Sequence, residues 1–223
     1  MTYVQKLTIP ETPFPILDDR IPMNRYVPID LSMTNVELFD IDITDHHQCQ
    51  VYIESVTRRS HGLVAYGGYI EQRALYGNAT RFSDVDERNI HLGIDFWCAA
   101  DTKVHVPLKG RVHSFANNND FGNYGPTIIL EHDGPKTFYT LYGHLSLESL
   151  NGLEVGALFE KGDVIGSLGT PEHNVGYAPH LHFQVINDLQ DHFGDYPGVC
   201  SEGQLEFYRS NCPNPNLLLG YAL

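Results

Sequence analysis

No run in this chain of 223 residues is both long and apolar enough to cross a bilayer. The opening segment, Met1-Thr-Tyr-Val-Gln-Lys-Leu-Thr-Ile-Pro10, lacks the continuous apolar core of a secretion signal. These absences predict a protein that stays in the cytoplasm and has no membrane partner. Basic residues are scarce too: 14 Lys and Arg stand against 28 Asp and Glu, a formal net charge of −14. With no Lys/Arg cluster to neutralise phosphates, nucleic acid is excluded as a partner. Adsorption to an anionic cell wall or membrane surface is disfavoured for the same reason.

Cysteine is sparse. Cys49, Cys98, Cys200 and Cys212 form no C-x-x-C pair, which argues against a zinc ribbon or a thioredoxin-like centre. Cys200 and Cys212 are able to pair in an oxidising setting, but in the cytosol they read as buried free thiols. No H-E-x-x-H occurs, so no helical glutamate is supplied as a base beside two histidine ligands. No internal repeat or low-complexity tract is present.

Turn formers and aromatics are plentiful: 20 Gly, 13 Pro and 11% aromatic residues suit a mainly β fold with many turns. Residues 1–62 read as an N-terminal leader, irregular to about residue 44 because Pro10, Pro13, Pro15, Pro22 and Pro28 break it. Residues 36–44 suggest a short strand. Asp45 then caps a short helix in which Cys49, Tyr52, Ile53 and Val56 fall at i, i+3, i+4 and i+7, a stripe that packs on the β core. Arg58 and Arg59 suit its end and Gly62 its stop. Residues 63–187 form the main β domain, with strands expected at 63–70, 92–98, 103–106, 110–116, 126–132, 137–143, 163–168 and 181–187. Residues 115–125 read as a polar loop at the rim of a cleft. Residues 188–223 form a C-terminal extension with a short helix around 202–208.

Twelve histidines are present, and five residues stand out: His91 and Asp95 in His-Leu-Gly-Ile-Asp, His144 in Tyr-Gly-His-Leu, and His180 and His182 in His-Leu-His. On a strand, i and i+2 share a face, so one ring of the last pair can bind a metal while the other faces the space beside it. His91 and Asp95 would lie ~13 Å apart on a straight strand, whereas ligands of one tetrahedral ion have donor atoms ~3.3 Å apart. The chain must therefore bend between them, and Gly93 permits that. This is the composition of a hydrolytic metal centre with a position left open for water. The remaining histidines read as ordinary core or surface residues, with His173, in the loop before the last pair, the one best placed to line the cleft.

The ordered set H-x-x-x-D, Y-x-H-L and P-H-L-H-F resembles the M23 zinc metallopeptidases of the lysostaphin and LytM type. The resemblance runs from about Tyr66 to Ile186 and includes Val104-His-Val-Pro-Leu-Lys-Gly110, Tyr124-Gly-Pro-Thr-Ile-Ile-Leu130 and Glu160-Lys-Gly-Asp-Val-Ile-Gly166. It implies antiparallel sheets of the M23/LytM, duplicated hybrid motif-like type. It also implies His91, Asp95 and His182 as ligands of one Zn²⁺ per chain, and His144 and His180 as a catalytic pair outside the ligand set. A looser similarity is carried by the leader, Ala74-Leu-Tyr-Gly77 and the tail Pro213-Asn-Pro-Asn-Leu-Leu-Leu-Gly220. It is to M23-like modules that lie between a kinase-like phosphotransferase and a class III aminotransferase in large fusion proteins.

The sequence departs from the family pattern in two places. Asp101-Thr-Lys103 replaces a Gly-Thr-Pro turn, and Asp tolerates the left-handed backbone such a turn needs. Thr170–Pro179 replaces a small-residue segment, and its Glu172, His173 and Tyr177 add bulk and charge near the groove. The expectation is a zinc hydrolase acting on a peptide or small amide other than the usual wall substrate. A phosphocarrier of similar fold and a non-catalytic metal-binding module are the alternatives. Asp95 disfavours the first by repelling phosphoryl oxygens, and the intact ligand set disfavours the second.

Overall fold

The computed structural model describes residues 10–74, 88–120 and 122–221; most of the opening segment and of Ala74-Leu-Tyr-Gly77 lies outside these. In chain order the elements are β1 (Tyr26–Pro28), α1 (His46–Arg59), β2 (Val64–Gly67), β3 (Ile90–His91), β4 (Ile94–Trp97) and β5 (Lys103–His105). Next come β6 (Gly110–Asn118), β7 (Gly125–His132), β8 (Phe138–Gly143), β9 (Leu158–Phe159), β10 (Val164–Ser167) and β11 (His180–Ile186). The tail adds β12 (Val199–Cys200), α2 (Leu205–Asn211) and α3 (Asn216–Leu219). One eight-stranded sheet has the order β1-β2-β4-β11-β8-β7-β6-β9, and β10-β5 and β12-β3 form separate pairs. The expected β-rich fold is present, and each of the eight strand windows contains a strand. No helix among the described residues is long and apolar enough to cross a membrane.

α1 follows its sequence signals. The Asp45 side chain accepts from the Gln48 amide, and Cys49, Tyr52, Ile53 and Val56 are the buried residues. Its stop differs from the expectation. His61, not Gly62, takes the left-handed conformation, at φ 53. The Gly62 amide closes the turn by donating to the Thr57 carbonyl (2.7 Å). Gly62 is there for space, because a Cβ would sit 2.6 Å from Val27 Cγ2.

Two expectations for the leader need correction. Residues 36–44 hold no strand; Val36–Leu38 is a short 3-10 turn capped by Asn35. Val36 and Phe39 are exposed, while Leu38, Ile41 and Ile43 pack on the α1 cluster from successive turns, at a spacing that does not alternate as a strand would. The leader is also less irregular than its prolines suggest. β1 pairs with β2, and in parallel, which departs from a purely antiparallel sheet. Ile16 and Leu17 are fully buried in the main core, and Leu17 bridges to Val104.

Strand alternation explains the placement of the site. On β11, Leu181, Phe183 and Val185 join Ile94 and Phe96 of β4 in the main core. The intervening residues point to the opposite face. That face is flanked by two smaller clusters, one built by α1, Leu31 and Trp97, the other by Leu189, Tyr196, Cys200 and Cys212 of the tail. The four cysteines are free thiols, Cys200 and Cys212 buried as expected and Cys98 only half-buried.

Candidate metal centre

β11 and β4 are antiparallel neighbours with His182 opposite Asp95 and His180 opposite Trp97. His91 arrives from β3 after a bend at Leu92–Gly93, where the sequence required one. Gly93 contributes clearance as well: a Cβ there would lie 2.7 Å from His182 Cε1 and from the Phe183 carbonyl oxygen. The chain can therefore pass close behind the His182 ring only with glycine at this position.

The donor atoms of His91, Asp95 and His182 converge on one point. His91 Nε2 is 2.9 Å from His182 Nδ1 and 3.2 Å from Asp95 Oδ1, and His182 Nδ1 is 3.1 Å from the same oxygen. These separations approximate one face of a tetrahedron with bonds of ~2 Å. The tautomers are set from outside this triangle. His91 Nδ1 donates to the Gly68 carbonyl (2.8 Å), so its Nε2 carries a lone pair. His182 Nε2 donates to Gln184 Oε1 (2.9 Å), so its Nδ1 carries a lone pair. Gln184 in turn is oriented by its Nε2 bond to the Pro197 carbonyl (3.1 Å).

Three lone-pair atoms thus face one another in a buried space with no proton left for any of them. Such an arrangement is repulsive unless a cation sits among them, and a nitrogen–nitrogen–oxygen set suits Zn²⁺. The protonation states agree. Burial and the charge of Arg73 push the His91 pKa down to about 4. Burial opposes ionisation of Asp95, but the facing His91 and the Arg73 guanidinium outweigh it and hold its pKa well below the usual range.

His144 and His180 lie beside this triangle, their ring centroids 4.1 Å apart. His144 follows β8 with a left-handed backbone at φ 61 and is held there by its amide bond to the Tyr124 carbonyl (2.9 Å). His180 stacks on Trp97 and donates from Nδ1 to the Ala178 carbonyl (2.7 Å), which leaves Nε2 free to accept a proton. Burial lowers the pKa of both rings, further for His144, where the neighbouring imidazoles add to it.

A cavity of about 440 Å³ opens over the five residues. Leu31, Ile43 and Cys49 of the leader line one part of it, and Asp195–Val199 of the tail another. Residues 115–118 extend β6 rather than form a loop, but Asp120, Gly122, Asn123 and Tyr124 line the cavity as a rim was expected to. Of Glu172, His173 and Tyr177, Tyr177 alone is among the lining residues; His192, read from sequence as ordinary, is there as well. Asp101 does adopt the left-handed turn, at φ 65.

Three residues of the centre escaped sequence reasoning. Gln184 had a signal: His180-Leu-His-Phe-Gln184 places a polar residue at every second position of an otherwise apolar strand. Trp97 and Arg73 had less. Arg73, which bonds Asp95 Oδ2 at 2.6 Å, shows only the same-face spacing with Glu71 in Glu-Gln-Arg.

A mainly β scaffold thus carries a buried His-Asp-His triangle able to hold a metal ion, an adjacent imidazole pair and an open cavity. The profile of Peptidase family M23 matches residues 89–192, so this segment is similar to that family. The L-Ala--D-Glu endopeptidase of Bacillus subtilis (strain 168) is 26% identical in an alignment of 145 residues that covers 61% of this chain. The matched part is 42% of that relative's length. The catalytic domain of lysostaphin from Staphylococcus simulans is similar at 23% identity and a TM-score of 0.44, over 65% of this chain and 91% of that one. A zinc containing peptidase from Vibrio cholerae is similar at 22% identity and a TM-score of 0.38, over 54% and 31% of the respective chains.

Proposed function

We propose that this chain is a zinc-dependent hydrolase of a peptide or amide bond, with His91, Asp95 and His182 holding one Zn²⁺ and His144 and His180 serving the chemistry. The observation that carries this reading is the triangle of three proton-free donors at 2.9–3.2 Å, each held in that state by a partner outside it. Bound zinc would polarise the scissile carbonyl and lower the pKa of a bound water to roughly 7. His180 has the lone pair on Nε2 needed to take a proton from that water, and its Nδ1–H is tied down so that the tautomer cannot switch. His144, neutral at pH 7 and packed against His180, is placed to pass a proton on or to donate to a developing oxyanion.

The size of the cavity supports a short peptide or small amide rather than a long strand of cross-linked polymer. Leader and tail residues stand on its walls, and its volume is in the range of small-molecule sites. An ionised Asp95 inside the triangle weighs against the phosphocarrier alternative.

Elemental analysis of protein purified without added metal should give about one zinc per chain. His182→Ala and Asp95→Ala should each abolish it, and with it any turnover in a panel of short peptides and acylated amines. Stoichiometric zinc in both variants would sink the ligand assignment. A zinc-loaded chain inert on the whole panel would return the non-catalytic binding module as the better reading.

A further inference from the structure

We infer that Arg73 is a positioning residue of the metal centre: it holds Asp95 so that one carboxylate oxygen alone faces the metal. This rests on the zinc reading above and extends it to a residue outside the ligand set. The two oxygens of Asp95 have separate partners. Oδ1 faces His91 Nε2 and His182 Nδ1, at 3.2 and 3.1 Å. Oδ2 accepts from Arg73 Nη1 at 2.6 Å, between side chains that are 2% and 7% exposed. An occupied Oδ2 cannot also turn toward a cation, so Asp95 is restricted to a single donor and a coordination position stays open.

The guanidinium is itself fixed on several sides. Arg73 Nε donates to Glu71 Oε1 at 2.7 Å, and Glu71 Oε2 accepts from the Leu31 amide at 3.1 Å. The Arg73 amide bonds the Asn89 carbonyl. A Cβ on Gly68 would lie 2.0 Å from Arg73 Nη2, so the absence of a side chain there makes room for the fork. The far side of the group lies over the Trp97 ring, 5.6 Å from its centroid. A relay therefore runs from the leader, through Glu71 and Arg73, to the carboxylate of the centre.

Charge balance explains why Glu71 belongs to it. Arg73 alone would cancel the charge of Asp95 and repel a cation. With Glu71 the group of three keeps one negative charge, and it is presented through Oδ1. A buried ion network is a poor route to stability, since apolar residues of similar volume do as well or better. Fixing the orientation of a ligand is the role for which such partners are needed, and removing them typically weakens metal binding 10–100-fold.

The test uses the full chain with Arg73→Met, Arg73→Lys and Glu71→Gln, each checked for folding by circular dichroism. Zn²⁺ alone is titrated against a chromophoric chelator, and Co²⁺ alone is bound to read coordination number from its visible absorption. Arg73→Met should weaken zinc about 10–100-fold. It should also dim the Co²⁺ band, as the released Oδ2 adds a ligand and raises the coordination number. Arg73→Lys, a point charge that cannot reproduce the rigid fork, should fall between. Glu71→Gln should weaken zinc while leaving the Co²⁺ band shape nearer the parent. If Arg73→Met does not fold, Arg73→Lys and Glu71→Gln decide. Folded variants with parental zinc affinity and a parental Co²⁺ spectrum would overturn the assignment of Arg73 alone. Failure of the parent chain to bind zinc would overturn the function as well.

Discussion

The two faces of β11 are equally buried and are satisfied in different ways. Leu181, Phe183 and Val185 lie in the main core, where volume and contact suffice. His180, His182 and Gln184 lie on the other face, and each depends on a particular partner: the Ala178 carbonyl, Gln184 Oε1, and the Pro197 carbonyl. The apolar face is covered by strand residues together with Ile16 and Leu17 of the leader and Leu219 and Tyr221 of the tail. The polar face is flanked by smaller clusters, one of the leader and one of the tail. One strand thus serves as a wall of the core and as the floor of a site, and the period of two keeps the roles apart.

The most severe break of the polar face that leaves the ligand triangle in place is His144→Ala. It should retain zinc, because His144 lies outside the triangle. Hydrolysis should fall by roughly 10²–10⁴-fold if the ring moves protons. Loss of metal in this variant would make His144 a ligand and force the histidine roles to be redistributed.

Phe183→Ala breaks the other face. Phe183 is fully buried and packs on Tyr142, with ring centroids 5.2 Å apart. Its removal should cost about 3–5 kcal/mol in urea unfolding. Zinc stoichiometry in the remaining folded protein should be unchanged, because the lost atoms face away from the centre. A parallel loss of zinc would show that the two faces are not independent.

The two faces were not equally legible in the sequence. The core face follows from alternation, the strand windows from alternation between turn residues, and α1 from its i, i+3, i+4, i+7 stripe and Asp45 cap. The five residues of the centre were marked by spacing and order, because a bend at Gly93 and an i, i+2 pair on a strand are local constraints. What closes over them was not. Arg73 approaches Asp95 through a contact between segments 22 residues apart, and no local pattern encodes it. His192 enters the cavity and His173 does not, because the paths of the tail and of the 170–179 loop depend on packing between distant segments. The leader strand β1 was hidden by its prolines, which are tolerated at the edge of a sheet.

Gly93→Ala tests the seam between the faces. The added methyl would press on the His182 ring and on the backbone of Phe183 at 2.7 Å. Overpacking of this kind should cost about 1–3 kcal/mol. Zinc affinity should fall with stability, because the ring that must shift carries a donor atom. A variant with parental stability and affinity would mean that the close passage behind His182 relaxes without consequence.

His132 gives the smallest and sharpest contrast, a buried imidazole with no part in the centre. It is fully buried on β7, donates from Nδ1 to the Lys109 carbonyl (2.9 Å), and leaves Nε2 to accept from the Thr140 hydroxyl (2.7 Å). Both nitrogens are satisfied by protein alone, so no cation is called for, unlike at His91 and His182. Burial lowers its pKa in the folded state. The unfolded chain, with an ordinary pKa of about 6.5, therefore binds the proton more readily. Stability from the neutral ring is complete above that value and is lost as pH falls below it toward the folded pKa. From pH 7.5 to 5.5 this one group should remove at most about 1.4 kcal/mol. The measurement is urea unfolding of metal-free parent and His132→Gln at both pH values. The parent should lose more stability than the variant, by up to that amount, while zinc binding at pH 7.5 should be the same in both. An equal acid loss in the two would mean that His132 is not held neutral by its burial. Weaker zinc binding in the variant would mean that the separation between core and centre does not extend to this histidine.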